Sequence, residues 1–347
     1  MSKQRPDYHR SIRNSARKLI AAFAVGTSLV FSSATLLAQA PVQAKTSAQS
    51  ITRVGRYTLQ SNPWVNLHQR LLYASQFKAD PPASLSGDDL AKWKKAETDY
   101  RLFIGKRNAI SNAELIQMNA ILSQTTAAKL PDSIPKAAAT VLEGIMPLYR
   151  SAQWDADNRA NLFCVAVVKP MLESAGEELA EAHTKVYGVP FPTHILVDVV
   201  TPYAWEFGAY TVGEPASVHT VISSADPANQ GFRALEAMMH EPSHVIVDMN
   251  SGAVGGDLNR IAKELGVRPR YNLWHAILFY TAGELTRQAL AKRGVEYQPI
   301  ITLMYDRGFG GMKQALETHW QAYIDGKVSR DEALRQILIE TTPANKP

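Results

Sequence analysis

Residues 216–244 read ASVHTVISSADPANQGFRALEAMMHEPSH, and this stretch predicts a strand, a turn and a helix in succession. The β-branched residues of 216–223 are typical of a strand, and 224–231 supplies turn residues and candidate helix N-caps. An apolar stripe at helical spacing follows, formed by Phe232, Leu235, Met238 and Met239. The stripe runs directly into the pentapeptide His-Glu-Pro-Ser-His at 240–244, so a core helix is expected to carry that pentapeptide.

The pentapeptide has the spacing of a metal site. Positions four apart lie on one face of a helix, so His240 and His244 are expected to offer imidazole nitrogens to one metal ion. Glu241 lies beside them and is a candidate general base for a metal-activated water. The alternative is an ordinary helix with two partly buried, hydrogen-bonded histidines.

Pro242 interrupts the expected helix. Proline removes one backbone donor and clashes with the carbonyl four residues back, here that of Met238, at a usual cost of about 3 kcal/mol. The sequence therefore predicts either a kink just before the ligands or a pentapeptide that is not regular helix.

A third ligand is expected on the long apolar segment 271–290, which predicts a buried helix. It contains His275 and Glu284. These residues are nine positions apart, so a straight helix places them on opposite faces. Glu284 is preferred, because a carboxylate in so apolar a segment is costly to bury unless it is paired or binds a metal. The alternatives are an ion pair of Glu284 with Arg287, and for His275 the third-ligand position itself, a core position or a catalytic role in steadying an oxyanion.

Asp248 completes the candidate set, because it follows His244 by four residues. It is expected to accept a hydrogen bond from a ligand imidazole, with a third-ligand role or a solvated carboxylate as alternatives. Gly252, Gly255 and Gly256 come soon after, and their spacing predicts helix termination and a flexible loop.

With these residues the chain resembles the zincin metallopeptidases, and within them the gluzincin arrangement. The resemblance covers about residues 216–290 and implies Zn²⁺ held by His240, His244 and Glu284, with Glu241 as general base. The H-E-x-x-H element is specific and the Glu284 element is weak, because many helices contain a glutamate. Pro242, at the motif's third position, departs from the family pattern.

The first 44 residues predict a signal peptide. Six basic residues precede an apolar stretch over 19–37, and small residues of the type that signal peptidases cleave end it at 38–44. The alternative is a membrane anchor. Subtracting the leader's six positive residues and one negative residue from the net charge of +5 leaves zero, so nucleic acid is not an expected partner.

Residues 45–347 predict one mainly helical α+β domain, with a helical part over 45–190 and a metal-site part over 191–347. A small sheet beside the motif helix is expected from 193–201, 209–212 and 216–223. Helices are expected over 63–74, 88–104, 112–128, 137–152, 157–187, 312–324 and 331–339.

The sequence thus predicts a zincin-like zinc hydrolase, exported to the periplasm or beyond the cell without a lasting membrane anchor. Its expected substrate is a peptide or protein, and a non-peptide ester or amide is a third reading. The alternative from another class is a non-catalytic periplasmic binding or scaffold protein that retains a zincin-like outline. The oligomeric state is not indicated.

Overall fold

A five-stranded mixed sheet carries helices on both faces. The computed structural model describes residues 49–77, 79–202, 208–250 and 252–342. The leader 1–44 lies outside these ranges, so its role as a signal peptide stays a prediction. None of the helices in the described residues combines the length and the apolar character that crossing a membrane requires.

The sheet has the strand order β1-β2-β3-β5-β4. Its three central strands are parallel, and β1 and β4 pair antiparallel at the two edges. The strands span Ser50–Val54, Tyr57–Ser61, Ile195–Val200, Ala209–Glu214 and Ser217–Ser223. The small sheet predicted from the last three segments is confirmed, and the β1–β2 hairpin was not predicted. Strand β2 comes from the part expected over 45–190 and β3 from the part expected over 191–347. Because these two strands pair, one sheet joins the two parts.

The chain is predominantly helical, as predicted. The helices are α1 (Pro63–Gln76), α2 (Gly87–Ile104), α3 (Ala113–Gln124), α4 (Lys136–Tyr149), α5 (Asp155–Tyr187), α6 (Phe232–Ser243), α7 (Gly252–Leu265), α8 (Leu273–Ala291), α9 (Ile301–Met304), α10 (Lys313–Ala315), α11 (Gln321–Ile324) and α12 (Arg330–Thr341). Two π-helical turns, Arg150–Trp154 and Leu316–Trp320, join α4 to α5 and α10 to α11. The second turn divides the helix predicted over 312–324.

Successive residues of β3 point to opposite faces of the sheet, as the strand period requires. Val197 and Val199 are fully buried in one core, which is formed mainly by α5 to α8 and α12. Val200 belongs to a second core with α1 to α4. The motif helix α6 therefore packs on one face of the sheet, and the first four helices cover the other.

The loop predicted at Gly252, Gly255 and Gly256 is wrong, because α7 begins at Gly252 and includes all three glycines. Gly252 has a φ of +69°, which glycine adopts without strain. A Cβ on Gly255 would clash with the Asp248 carbonyl oxygen. Gly255 thus allows α7 to pack closely against the segment that follows the motif, which a periodicity argument does not detect.

Candidate metal centre

The motif remains helical through Pro242, and α6 ends at Ser243. Proline leaves the Met238 carbonyl without its helical donor, and the buried Tyr57 hydroxyl donates to that carbonyl at 2.7 Å. His244 continues in helical conformation and its N–H bonds the Glu241 carbonyl at 3.1 Å, which tightens the last turn. A hydroxyl from β2 therefore compensates the bond that Pro242 removes.

Three imidazoles converge at the end of α6. The Nε2 atom of His240 lies 3.2 Å from Nε2 of His244 and 3.4 Å from Nε2 of His275. One nitrogen from each of the three lies within 4.8 Å of both others, the single such group of potential ligands among the described residues. His275 is near the start of α8, so two packed helices supply the three rings.

Hydrogen bonding alone does not account for this arrangement. The Nε2 atom of His240 carries either a proton or a lone pair in its ring plane, so it forms one good hydrogen bond and faces two nitrogens. Three nitrogens bound tetrahedrally to zinc at about 2.0–2.1 Å would lie roughly 3.3–3.4 Å apart. The two observed Nε2 separations are close to that value.

The three rings are neutral bases. Burial lowers the pKa of His240 and His275 well below the usual value, and the charges of neighbouring imidazoles lower it further. Burial also lowers the pKa of His244, to about 4. Metal binding requires deprotonated imidazole nitrogens, so this donor set is ready for a cation near neutral pH.

Aromatic side chains hold the rings in place. Phe279 lies one turn after His275 on α8, and its ring centroid is 4.0 Å from that of His240. Trp274 stacks on His275 with centroids 5.0 Å apart and meets His244 edge-on at 5.7 Å. This packing restricts ring rotation, which favours a preformed site.

Glu241 points toward the sheet. Its Oε2 atom accepts a hydrogen bond of 2.8 Å from the Thr211 hydroxyl on β4. Burial raises the pKa of the Glu241 carboxyl to about 7, and the Thr211 bond opposes part of that rise. A carboxyl group with such a pKa both accepts and releases protons near neutral pH, which suits a general base.

Glu284 does not belong to this group of ligand atoms. Its carboxylate accepts two bonds of 2.7 Å from Arg287 and one of 2.8 Å from Gln288, so the ion pair considered as an alternative is present. The physical reason is helical geometry, because nine residues turn Glu284 to the side of α8 opposite His275. The third imidazole beside His240 and His244 is that of His275, which the sequence argument left open as a third ligand, a core residue or an oxyanion-stabilising group.

Asp248 also lies outside the converging ligand atoms. Its Oδ1 atom accepts a hydrogen bond of 2.7 Å from the backbone N–H of Asn250, in the turn that leads to α7. A contact with a ligand imidazole stays a prediction.

Tyr57 and Thr211 were not identified from the sequence. Pro242 indicated that the Met238 carbonyl needed another donor, but the sequence did not show which strand would supply it. The bond to Glu241 follows from the pairing of β4 with β5, which brings Thr211 beside the motif helix.

A second buried polar cluster lies on the other face of the sheet, and we call it the Asp198 cluster: Asp198, His219, Ser123 and Gln60. The Asp198 carboxylate accepts from Gln60 Nε2 at 2.7 Å and from the Ser123 hydroxyl. His219 Nε2 lies 2.7 Å from the same carboxylate. Ser123 and Asp198 both contact Nε2 of His219, so this is not the relay of a serine hydrolase, in which the carboxylate bonds the other ring nitrogen.

Comparison with known proteins found no relative. The chain has no significant match to a protein-family model, a curated protein or a solved structure.

Proposed function

We propose that this protein is a zinc-dependent hydrolase in which His240, His244 and His275 hold the ion and Glu241 is the general base. The observation that carries the proposal is the convergence of three neutral Nε2 atoms at 3.2 and 3.4 Å. Three protein ligands with a fourth position left for water are typical of catalytic zinc. The H-E-x-x-H motif and its resemblance to the zincins favour a peptide bond as the target.

Bound zinc would supply a Lewis acid that polarises a carbonyl and lowers the pKa of a water molecule. Glu241 would take the proton released by the attacking water and pass it to the leaving amine. Thr211 holds the Glu241 carboxylate through the 2.8 Å hydrogen bond and so limits its rotation. Phe279 and Trp274 pack against the imidazoles and limit the rotation of their rings.

Metal analysis tests the ligand set. Purified protein is expected to contain about one equivalent of zinc, as a three-histidine site would require. His275→Ala should lose most of this zinc, whereas Glu284→Gln should retain it, because Glu284 is paired with Arg287. Zinc retained by His275→Ala and lost by Glu284→Gln would restore the gluzincin arrangement and overturn the assignment.

A peptide library tests the reaction. The zinc-loaded protein is expected to cleave at least one sequence class, and a chelator should abolish the cleavage until zinc is returned. Full zinc content with no cleavage of peptides, esters or amides would favour the binding or scaffold alternative.

A further inference from the structure

A threonine interrupts the apolar row that β5 turns toward the motif helix. Val218 and Ile222 on this face belong to the core that contains α6, and Thr220 lies between them, 1% exposed. Valine has nearly the same shape as threonine, and burying a hydroxyl is costly unless it forms a hydrogen bond. The partner of the Thr220 hydroxyl therefore indicates what this side chain does.

The partner is Thr211, which lies directly opposite Thr220 in the antiparallel pairing of β4 with β5. The two hydroxyl oxygens are 2.9 Å apart, and this is the one side-chain hydrogen bond of Thr220 in the described part of the chain. The Thr211 hydroxyl also lies 2.8 Å from Oε2 of Glu241. Two hydroxyls and one carboxylate oxygen thus form a continuous hydrogen-bond chain from β5 to the motif helix.

The direction of these bonds follows from the number of protons. Glu241 is ionised when it acts as a base, so its Oε2 atom only accepts, and each threonine hydroxyl has one proton to donate. Thr211 donates its proton to Glu241, so Thr220 is the donor in the bond between the two threonines. Hydrogen bonds in such a chain polarise one another, so the Thr220 hydroxyl makes the Thr211 hydroxyl a stronger donor.

The other carboxylate oxygen of Glu241 is in a different situation. Oε1 accepts no hydrogen bond from the described residues, and it is not one of the fully enclosed polar atoms that lack a partner. An ionised oxygen without a protein donor is tolerated where a water-sized group can reach it. The carboxylate therefore has one oxygen held by the sheet and one available for a reaction.

We propose that Thr220 is a positioning residue for the general base, acting through Thr211 to keep Oε2 of Glu241 bonded and to leave Oε1 for the attacking water. This inference rests on the proposed function. In that reaction the water oxygen bonds to the carbonyl carbon while its proton moves to Oε1, and the same proton passes to the leaving amine as the C–N bond breaks. Oε2 remains an acceptor throughout, so neither hydroxyl has to rotate during the cycle.

Proton NMR of the zinc-free protein, labelled at threonine and kept at mildly alkaline pH and low temperature, tests the hydrogen-bond chain without an activity assay. The hydroxyl protons of Thr211 and Thr220 are expected to exchange slowly, because both are hydrogen-bonded. Thr220→Val should move the Thr211 hydroxyl signal upfield, as a weaker hydrogen bond requires. Thr341→Val is the matched control and should leave that signal unchanged, since Thr341 is a buried threonine on α12 that donates to the Ile337 carbonyl at 2.6 Å.

Steady-state kinetics of the zinc-loaded protein tests the role, on variants whose thermal unfolding shows that they are folded. Thr211→Val should lower kcat about 10-fold, because it removes the hydrogen bond to the base. Thr220→Val should lower kcat about three-fold with little change in KM, and Thr220→Ser, which keeps the hydroxyl, should restore it. In the Thr211→Val background, Thr220→Val should cause no further loss, because it acts through Thr211. Thr341→Val should turn over like wild type.

Wild-type kcat in folded Thr220→Val, or an absent or unshifted Thr211 hydroxyl signal, would overturn the inference. An equal loss of kcat from Thr220→Val in both backgrounds would show a general structural effect and would also overturn it. Each of these results leaves the zinc hydrolase standing. Zinc-loaded wild type that cleaves no peptide, ester or amide would overturn the proposed function and this inference together.

Discussion

The Asp198 cluster and the three histidines at the end of α6 lie on opposite faces of the sheet. They differ in the atoms that face the imidazole nitrogens. In the Asp198 cluster, a carboxylate oxygen lies 2.7 Å from His219 Nε2, so a donor meets an acceptor. At the end of α6, Nε2 of His240 faces two other ring nitrogens. The first arrangement is satisfied by protein atoms, whereas in the proposed zinc site a cation would complete the second. A buried histidine is therefore informative mainly through the chemical character of its neighbours.

The largest expected effect is on the reaction. Glu241→Gln should retain zinc, because Glu241 is not one of the converging ligands, and should lower kcat by about 10²–10⁴-fold through loss of the general base. Steady-state kinetics on the best library peptide, with zinc content measured on the same sample, checks this. Glu284→Gln is the control and should change kcat by only a few-fold. Unchanged turnover in Glu241→Gln would remove the base from the proposal.

The Asp198 cluster should respond in stability and not in zinc content. Asp198→Ala deprives Gln60, Ser123 and His219 of their shared acceptor and is expected to cost about 3–5 kcal/mol in free energy of unfolding. Urea unfolding measures the loss, and metal analysis of the folded variant should still give about one equivalent of zinc. Loss of zinc from folded Asp198→Ala would contradict the separation of the two faces.

Glu236 lies on the face of the sheet that carries the proposed zinc site, and it predicts how stability there depends on pH. It lies on α6, fully buried, and accepts bonds from the Tyr297 hydroxyl at 2.6 Å and the Ile300 N–H at 3.0 Å. Burial raises the pKa of the Glu236 carboxyl from 4.5 to about 7. The folded state thus binds this proton more strongly than the unfolded chain does, so the stabilisation is complete below pH 4.5 and is lost as the pH rises through about 7.

Glu236→Gln should remove that dependence. At about 1.4 kcal/mol for each unit of pKa shift, the unfolding free energy of wild type relative to the variant should fall by roughly 3 kcal/mol between pH 4.5 and 8. Urea unfolding of both proteins at four pH values, with a chelator present, measures the difference. A constant difference across the range would show that Glu236 does not titrate as its burial requires.

The smallest expected effect concerns Pro242. Tyr57→Phe should cost about 1–3 kcal/mol, because it leaves the Met238 carbonyl without its donor. Pro242→Ala restores a backbone N–H at position 242, so the same Tyr57 substitution should cost less in that background. A double-mutant cycle by urea unfolding measures the coupling, and purely additive effects would contradict the compensation.

Most of the helices and strands could be predicted from the hydrophobic periodicity of the sequence. The apolar spacing predicted α1, α2, α5, α6 and α8 with ends close to those observed, and the β-branched runs predicted β3 to β5. The β1–β2 hairpin was missed because its strands are short and end directly at α1. Helix α7 was missed because glycines that allow close packing have the same sequence signature as glycines that end a helix.

The candidate site was predicted in part. The pair His240 and His244 followed from a spacing of four residues, which a single helix determines. The third imidazole, that of His275, faces the pair only because of how α8 is rotated about its axis, and hydrophobic periodicity does not determine that rotation. The argument that His275 and Glu284 lie on opposite faces was correct, so one helical rotation decided between them. The cost of burying Glu284 was met instead by Arg287.

The bond from Tyr57 to Met238 joins residues 181 positions apart in the chain. Strand β2 pairs in parallel with β3, and all of α1 to α5 lie between these two strands in the chain. Pairings between such distant segments form slowly, because a long loop must close before any contact rewards it. The proline-containing turn that carries the histidines would therefore acquire its final support late in folding, when β2 pairs with β3.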